Sequence, residues 1–472
     1  MKKLLTLMLT VILAVAACLG LTACGDDESS VRTYDVNDNF AMFAEYIPED
    51  FKIGFIFLHD EKSTYDLNFL TAAKEAVATM GLKSSQVVYK VNVPEGQECY
   101  DAAKEMVENG CKAIFANSFG HGGFMLQAAK DFEDVQFYHA TGAQVSLNLD
   151  EDDTNDAPEN FHNAFASIYE GRYLGGIAAG MKLNEMVAEK EEELGRELTA
   201  EELAVETKIG YVGAYPYAEV KSGYTSFYLG VKSVCPSVTM DVKFTNSWYD
   251  EAAEKAAAEA LIAGGAKLIS QHADSMGAPS ACEKAGIPNV SYNGSTIEKC
   301  PNTFIISSRI DWAPYFKLII SSFATDENNE EVAENAEMLK LIIGQDFCVG
   351  LEAAEMLGSP VQISTINADV MAKGTVAALQ TAIRDLSRHG AQLVFACENF
   401  TVTVPEGNTS IVVDEDGHLV SYKADVIDAG DFAPDKDVIK DGDFGKYFDE
   451  SNATEFRSAP YFDIDIDGIT IK

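Results

Sequence analysis

Apolar runs of strand length alternate with segments of helical periodicity along the chain from Phe51 onward. Strand–helix–strand units repeated in this way build parallel sheets with helices on both faces. Nine candidate strands are too many for one sheet of ordinary size, so the pattern predicts an α/β fold of two doubly wound parallel-sheet lobes joined by a hinge. The candidate strands cover residues 52–57, 86–93, 112–116, 135–140, 208–212, 238–244, 267–270, 289–292 and 303–307.

The helical segments between these strands carry end signals. Apolar residues at positions 70, 73, 77 and 80 share one helical face, and Gly81 follows as the expected end of that helix. Asp250 precedes the alanine-rich segment 251–263 and is expected to cap it. A third helix, with apolar residues from 376 to 386, should end at Gly390. The glycine-rich segment 173–181 is too short to span a membrane and is predicted to be a buried, closely packed helix.

The first 50 residues have the pattern of an exported and anchored protein. Lys2 and Lys3 precede an apolar run over residues 4–21, as in a secretory signal. The run ends in Leu21-Thr-Ala-Cys24, which resembles the bacterial lipobox, so we expect cleavage after residue 23 and a lipid on Cys24. Residues 24–50 would then be an acidic tether on the extracytoplasmic face of the cell membrane. An ordinary signal peptide or an N-terminal membrane helix is the alternative.

The charge balance limits the possible partners. The 472 residues include 75 Asp and Glu against 35 Lys and Arg, which gives a net charge of −40, and no basic run interrupts this excess. Nucleic-acid phosphates and anionic lipid surfaces repel such a protein. We therefore expect no nucleic-acid partner, and membrane contact only through the N-terminal lipid.

The cysteines give no sign of a metal or cofactor site. Of nine, Cys18 would leave with the signal peptide and Cys24 would be lipidated, so seven remain in the fold. They include no Cys-x-x-Cys pair, and we predict neither a metal nor a cofactor. An odd number on an exported chain leaves at least one free thiol, and the spacings do not assign a disulfide pairing.

Three stretches interrupt the alternation of strands and helices. Residues 150–158 form an acidic loop, and residues 189–206 a charged helical insertion expected on the solvent face. The third is an acidic extension over residues 401–472, in which Asp463-Ile-Asp-Ile-Asp-Gly468 has the spacing of a calcium loop. No Glu follows at the twelfth position of an EF-hand loop, and the alternating Ile residues favour an acidic edge strand instead.

Polar and aromatic side chains follow several of the candidate strands, where ligands bind in open α/β sheets. Rings that can stack on a planar heterocycle occur there with carboxylates and amides that bind amines or hydroxyls. Any one ring alone would more often belong to the core or surface, but their recurrence after several strands favours a site for a flat, hydroxylated ligand such as a nucleoside. The segments are 59–68, 117–123, 246–250 and 271–275.

Seven short motifs between residues 51 and 400 combine glycine turns with aromatic and acidic residues. They are Asn117-Ser-Phe-Gly-His121, Ala140-Thr-Gly142, Tyr169-Glu-Gly-Arg-Tyr-Leu-Gly-Gly176, Lys208-Ile-Gly-Tyr-Val212, Glu219-Val220, Ser247-Trp-Tyr-Asp250 and Gln271-His-Ala-Asp-Ser275. In this order the chain resembles the basic membrane protein family, lipid-anchored substrate-binding proteins of ABC importers typified by the purine nucleoside receptors. The resemblance implies a type I periplasmic-binding-protein fold that closes on a purine nucleoside, or a related purine, and delivers it to ABC permease and ATPase subunits.

The resemblance also implies lobe boundaries. The first lobe would take residues 51–160 with part of 305–347, and the second residues 161–304 with part of 348–400. Residues 401–472 would be an extension that the resemblance hardly covers. Adenosine, guanosine, inosine, a free base and a flavin-like molecule all stay open as ligands.

Individual site residues follow from the same motifs. Tyr65 stands near the family's stacking aromatic and Asp66 at a base-contacting amide, with Ser63 as the equivalent if the loop is registered differently. The other expected contacts are Asn68, Ser118 and Phe119 from the first lobe, Glu219 and Trp248 from the opposite lobe, Asp250 and Asp274 as ribose or amine acceptors, Asn293 where relatives often carry Asp, and Arg309 near a basic position of the family.

The same residues offer two alternatives to binding for import. Residues 116–120 approach the Gly-x-Ser-x-Gly nucleophile elbow, so Ser118 with His272 and either Asp250 or Asp274 would be the triad of a serine hydrolase. Such strings are common by chance, and we expect a binding protein, not an enzyme. A ligand-sensing co-receptor would share the fold and is not separated from an importer component by sequence.

Overall fold

The computed structural model describes residues 40–149, 157–326, 329–427 and 433–472. Its strands, in chain order, are β1 (Ile53–Ile56), β2 (Val87–Lys90), β3 (Ala113–Ala116), β4 (Gln136–Ala140), β5 (Phe161–Ala166), β6 (Lys208–Gly213), β7 (Thr239–Phe244), β8 (Leu268–His272), β9 (Asn289–Tyr292), β10 (Phe304–Ile310), β11 (Asp346–Val349), β12 (Val361–Ile363), β13 (Ile411–Val413), β14 (Leu419–Ala424), β15 (Lys436–Asp437), β16 (Ile439–Gly442), β17 (Gly445–Phe448) and β18 (Ile469–Ile471). All nine candidate strands are confirmed. The predicted signal peptide, Cys24, most of the predicted tether and most of the predicted acidic loop lie outside the described residues.

The α-helices of the described residues connect these strands. They are α1 (Thr64–Thr79), α2 (Gln97–Glu108), α3 (Gly122–Asp131), α4 (Ile168–Leu194), α5 (Ala200–Glu206), α6 (Ala218–Val234), α7 (Glu251–Ala263), α8 (Gly277–Ala285), α9 (Ala313–Ser321), α10 (Glu330–Ile343), α11 (Ala354–Leu357), α12 (Thr375–His389) and α13 (Ala391–Val394). The expected end signals are confirmed. Asp250 accepts a hydrogen bond from Ala253 N at the start of α7, and Gly81 and Gly390 follow α1 and α12 with positive φ angles. No described helix is long and apolar enough to cross a bilayer.

Two parallel sheets form the two predicted lobes. The first has the strand order β11-β5-β4-β3-β1-β2, and all of its pairs are parallel. The second has the order β12-β10-β9-β8-β6-β7-β18, in which only β12 runs antiparallel to its neighbour. The fold is therefore α/β with two doubly wound parallel sheets, as expected.

The lobe boundaries differ from those expected. Strand β5 pairs with β4 and belongs to the first lobe, although a boundary at residue 161 would give it to the second. Strand β10 lies in the second sheet and β11 in the first, so the chain crosses between the lobes after β5, after β10 and after β11. Hydrogen bonds tie the crossings together. Ser167 N donates to Val349 O at 3.0 Å, and Asp311 N donates to Pro360 O at 2.6 Å.

The C-terminal extension joins the second lobe. Strand β18 pairs in parallel with β7, while β13 to β17 form two small antiparallel sheets. The acidic residues before β18 are not themselves a strand. Asp463 pairs with Lys221 at 2.7 Å, and Asp467 accepts hydrogen bonds from the hydroxyls of Thr401 and Thr403. Within the described residues, no group of three or more His, Cys, Asp or Glu side chains is placed to hold a metal ion.

Glycines allow the long helix α4 to contact α6 closely, as predicted for segment 173–181. A methyl group added at Gly176 would lie 2.1 Å from Phe227 O, and one at Gly230 would lie 2.2 Å from Tyr173 O. Both glycines face backbone, which cannot move aside. The charged end of α4 and helix α5 form the predicted insertion, and α5 has no buried residue. The seven cysteines of the fold are free thiols.

Candidate functional site

A cleft between the lobes is lined by residues from the carboxyl ends of strands in both sheets. Tyr65 and Asp66 come from the first turn of α1, which follows β1, while Ser118 and Phe119 follow β3. Trp248 follows β7 of the second sheet. The other lining residues are Leu58, Thr141, Glu219, His272, Asp274 and Tyr292.

On the first lobe, Asn117 fixes the positions of both predicted contacts. The buried carboxylate of Asp66 accepts hydrogen bonds from Asn117 Nδ2 at 2.8 Å and from His59 N at 3.1 Å. The Tyr65 hydroxyl donates to Asn117 O at 2.7 Å. Ser63, the alternative to Tyr65, instead caps α1 by accepting from Asp66 N. The structure therefore directs Tyr65, not Ser63, toward the cleft.

Aromatic rings from the two lobes meet at the cleft. The Trp248 ring contacts those of Tyr215 and Tyr217, with centroid distances of 5.1 and 6.1 Å. The Phe119 ring of the first lobe stacks on Tyr217 of the second at 5.7 Å. These side chains offer flat apolar surfaces on both sides of the cleft, which suits a planar ligand.

Carboxyl groups and a buried arginine surround the second-lobe side of the cleft. The Glu219 carboxylate lies 3.4 Å from His272 Nε2, and burial lowers the pKa of His272 to about 4, so its ring is neutral near pH 7. Burial first, and then Glu254, raises the pKa of Asp274 well above its ordinary value. The Arg172 guanidinium lies 3.3 Å from the centroid of the Tyr292 ring. The cleft can thus accept hydrogen bonds at Asp66 and Glu219, and burial favours the protonated form of Asp274, which can donate one.

Four predicted contacts do not line the cleft. Asp250 caps α7 with its carboxylate. Asn293 donates to the Asp274 carboxylate at 3.3 Å and so supports a lining residue. The Arg309 guanidinium donates to Asn68 Oδ1 at 3.3 Å, and Asn68 Nδ2 donates to Ile310 O. These two side chains therefore connect the lobes beside the hinge. The lining of the cleft therefore does not include these four expected contacts.

Sequence reasoning named no ligand contact at several lining residues. Tyr292 is the last residue of β9, and Thr141 directly follows β4. The rule that ligands bind at strand ends would have found both. His272, the last residue of β8, lies in the expected segment 271–275 but was named only as the base of the hydrolase alternative. No sequence pattern marks Glu95 as a residue of the site. Its carboxylate nevertheless accepts hydrogen bonds from the Ser118 hydroxyl at 2.5 Å and from Gly120 N at 2.8 Å.

The serine hydrolase alternative is not supported by this geometry. The Ser118 hydroxyl donates to Glu95 instead of a histidine ring, and His272 is paired with Glu219. A triad requires a base within hydrogen-bond distance of the nucleophile.

Comparison with known proteins adds evidence from outside this structure. A family model described as ABC transporter substrate-binding protein PnrA-like matches residues 198–339. A purine-binding protein of Brucella abortus is 32% identical over 276 residues, which are 58% of this chain and 69% of that protein. A putative ABC transporter glucose-binding protein of Haloferax volcanii is 27% identical over 272 residues, 57% of this chain and 58% of that protein.

A solved structure shares the architecture. An ABC transporter solute-binding protein from Conexibacter woesei superposes with a TM-score of 0.51 at 17% identity, covering 71% of this chain and 96% of that one. At this identity the likeness concerns the fold alone.

Proposed function

This chain belongs to the PnrA-like family of ABC transporter substrate-binding proteins and has their type I periplasmic-binding-protein fold, and from that premise we propose that it captures a purine nucleoside or related purine in the cleft between its lobes. The family consists of binding proteins, not enzymes. The proposal extends the family assignment to a ligand class and to a route of delivery.

The single observation that carries the ligand class is the pairing of aromatic rings with carboxyl groups in one cleft. Tyr65 and Phe119 of the first lobe and Trp248 and Tyr292 of the second line the same cleft, so a purine bound there would contact aromatic rings of both lobes. Asp66, Glu219 and Asp274 provide partners for the edge of the base and for ribose hydroxyls. The similarity to a purine-binding protein of Brucella abortus supports the same ligand class.

Capture would proceed by hinge closure. The three crossings join the lobes along one side, and contacts such as the Phe119–Tyr217 stack close the other side of the cleft. A ligand that touches both lobes binds the closed form better than the open one and shifts the population toward it. The closed form would then present a matched surface to an ABC permease with its ATPase subunits.

We place the protein on the extracytoplasmic face of the cell membrane, held by a lipid on Cys24. The support for this part is the signal-like sequence before Cys24 and the acidic residues after it. A sensing role in a membrane co-receptor would use the same cleft and closure. Growth on the bound purine as sole purine source, in cells with and without this protein, distinguishes import from sensing.

A sugar is the second candidate ligand, favoured by the similarity to a putative glucose-binding protein of Haloferax volcanii. Aromatic faces and carboxylates also suit a sugar ring. The test is a thermal-shift screen of the purified protein against purine nucleosides, free bases, riboflavin, glucose and other simple sugars, followed by calorimetry of the hits. Tight binding raises the melting temperature by mass action. A rise with purine nucleosides but not with sugars supports the proposal, and a rise with sugars alone refutes it.

A further inference from the structure

A buried acidic residue lies behind the second-lobe wall of the cleft. Glu254 is in the first turn of α7, is 0% exposed, and does not itself line the cleft. The lining residues Trp248 and Asp274 come from two loops next to it, one leading from β7 to α7 and the other following β8. No sequence pattern marks Glu254 as a residue of the site, because it is one of several glutamates in an alanine-rich helix.

The Glu254 carboxylate connects these two loops. Its Oε1 accepts a hydrogen bond from Asp250 N at 3.2 Å, and its Oε2 accepts one from Ser275 N at 3.2 Å. The first bond, together with the Asp250 cap, closes the start of α7. The second is not explained by helix capping, because Ser275 belongs to the other loop, 21 positions along the chain. One carboxylate therefore sets the distance between the two loops.

Each loop carries a cleft residue close to the bonded amide. Trp248 lies just before Asp250 in the chain, and Asp274 directly precedes Ser275. The loops are also joined directly, because Asp274 N donates to Trp248 O at 3.0 Å. A displacement of the Glu254 carboxylate would therefore move the aromatic and the acidic contact of the cleft together.

We propose that Glu254 is a positioning residue of the binding site, which holds Trp248 and Asp274 where they contact the ligand. This role rests on the proposed capture of a purine in the cleft, and it adds a residue behind the lining to the site. The ionised form of Glu254 is the better brace. Both oxygens of a carboxylate accept an amide N–H, whereas a protonated carboxyl, or the amide of a glutamine, uses one of its two polar atoms as a donor.

The charge of Glu254 changes near neutral pH. Burial raises the pKa of Glu254 to about 7, and hydrogen bonds from Ser275 and Asp250 oppose this shift. The titratable groups beside it are the Asp250 carboxyl at the start of its own helix and, on the two loops, Tyr249 and Asp274. Burial, and after it the Glu254 charge, raises the pKa of Asp274. As the pH rises through about 7, loss of the Glu254 proton should strengthen the link between the loops and keep Asp274 protonated.

The first test follows Trp248 without any ligand. Trp248 and Trp312 are the two tryptophans of the chain, so Trp312→Phe leaves Trp248 as the sole tryptophan reporter of fluorescence. In that protein we expect the emission of Trp248 to change as the pH passes through about 7, and with Glu254→Gln added we expect no change there. Glu450→Gln is the matched control and should keep the transition, since Glu450 is also a buried carboxyl that accepts a backbone N–H but lies outside the cleft.

The second test measures the Kd for adenosine by calorimetry in the purified wild type and in Glu254→Gln. The two measurements are made about one pH unit below and about one pH unit above the pKa of Glu254, where this carboxyl is mostly protonated and mostly ionised. The Kd of Glu254→Gln divided by that of the wild type should be near one at the lower pH, because glutamine resembles the protonated acid. At the higher pH we expect it to be about threefold to tenfold.

Equal emission profiles with and without Glu254→Gln, or a Kd ratio that is the same at both pH values, would overturn the proposal. If Glu254→Gln does not fold, as judged by its melting curve, Glu254→Asp replaces it. Its shorter carboxylate cannot reach both amides, so the Kd should rise at both pH values, and a Kd equal to that of the wild type would refute the role. If no purine binds the wild type, the proposed function fails, and the emission of Trp248 still decides whether Glu254 positions its loop.

Discussion

Thr64 and Asp274 join the two lobes directly across the cleft. Both the amide nitrogen and the hydroxyl of Thr64 donate to the carbonyl oxygen of Asp274, at 2.9 and 3.1 Å. Thr64 starts the first helix of one lobe, and the Asp274 side chain lines the cleft in the other. The structure thus has its lobes in contact, in the arrangement that a captured ligand would stabilise.

Thr64→Ala should weaken ligand binding by favouring the open form. The variant loses the hydrogen bond from the Thr64 hydroxyl to Asp274 O and keeps the one from the Thr64 backbone N–H. We therefore expect the Kd to rise about twofold to tenfold, mainly through faster dissociation. Surface plasmon resonance measures both rates. Thr71→Ala, on the exposed side of the same helix, is the control and should bind as the wild type does. Equal dissociation rates for the two variants would show that this contact does not hold the cleft closed.

Trp248→Ala should remove one face of the proposed stack. The ring contacts Tyr215 and Tyr217 and lines the cleft, so its loss should raise the Kd for a purine nucleoside about thirtyfold or more. Phe444→Ala, at an exposed aromatic outside the cleft, should leave the Kd unchanged. Calorimetry gives both values, and melting curves show whether each variant is folded. A Kd unaffected by loss of Trp248 would remove this residue from the site.

Glu450→Gln should change the pH dependence of stability. Burial raises the pKa of Glu450 to about 8, against an ordinary value of 4.5, so the folded state holds its proton where the unfolded state has lost it. In the wild type this destabilises the fold increasingly as the pH rises from 4.5 to 8. The melting temperature of Glu450→Gln minus that of the wild type should therefore increase over this interval and level off above it. A difference that is constant with pH would contradict the assignment.

Gly176→Ala should destabilise the protein by about 2 to 3 kcal/mol, because the added methyl group would meet the backbone of α6. Gly123→Ala is the matched control, since nothing lies within 4 Å of the methyl group there and Gly123 is inside helix α3. That change should leave stability unchanged or raise it slightly. Urea denaturation measures both. Similar stabilities for the two variants would mean that α4 and α6 can separate without loss.

Cys24→Ala should release the protein from the membrane. If a lipid on Cys24 is the anchor, the variant should lose incorporation of labelled palmitate and move from the membrane fraction to the soluble extracytoplasmic fraction. Cys235→Ala, at a buried thiol of the fold, should remain anchored. Retention of Cys24→Ala in the membrane would point to the alternative of an uncleaved N-terminal membrane helix.

The strands that consist of an uninterrupted run of apolar residues could be predicted from the sequence. Strand β5 was missed because His162 and Asn163 interrupt its apolar pattern. Both are buried in the structure, where His162 bonds the carbonyl of Gly344 and the side chain of Gln136, and Asn163 lies beside His139. These hydrogen bonds link residues far apart in sequence, and no local pattern reveals them.

The site could be predicted in part. Strand ends indicated Tyr65, Ser118, Trp248 and Asp274, and these residues line one cleft because the carboxyl ends of parallel strands meet at one edge. Arg309 lies within β10 and Asn68 within α1, and they bind each other beside the hinge. Sequence alone does not reveal which of two neighbouring polar residues finds a protein partner and which is left facing the cleft.

The interleaving of the two sheets has a consequence for the order of folding. The first sheet receives its edge strand from residues 346–349, after nearly all strands of the second sheet have been made, and the second receives its own edge strand from residues 469–471. A chain emerging from its N-terminus can therefore finish neither lobe early. Contacts this distant in sequence slow folding, so we expect each sheet to close only after its late edge strand has been made.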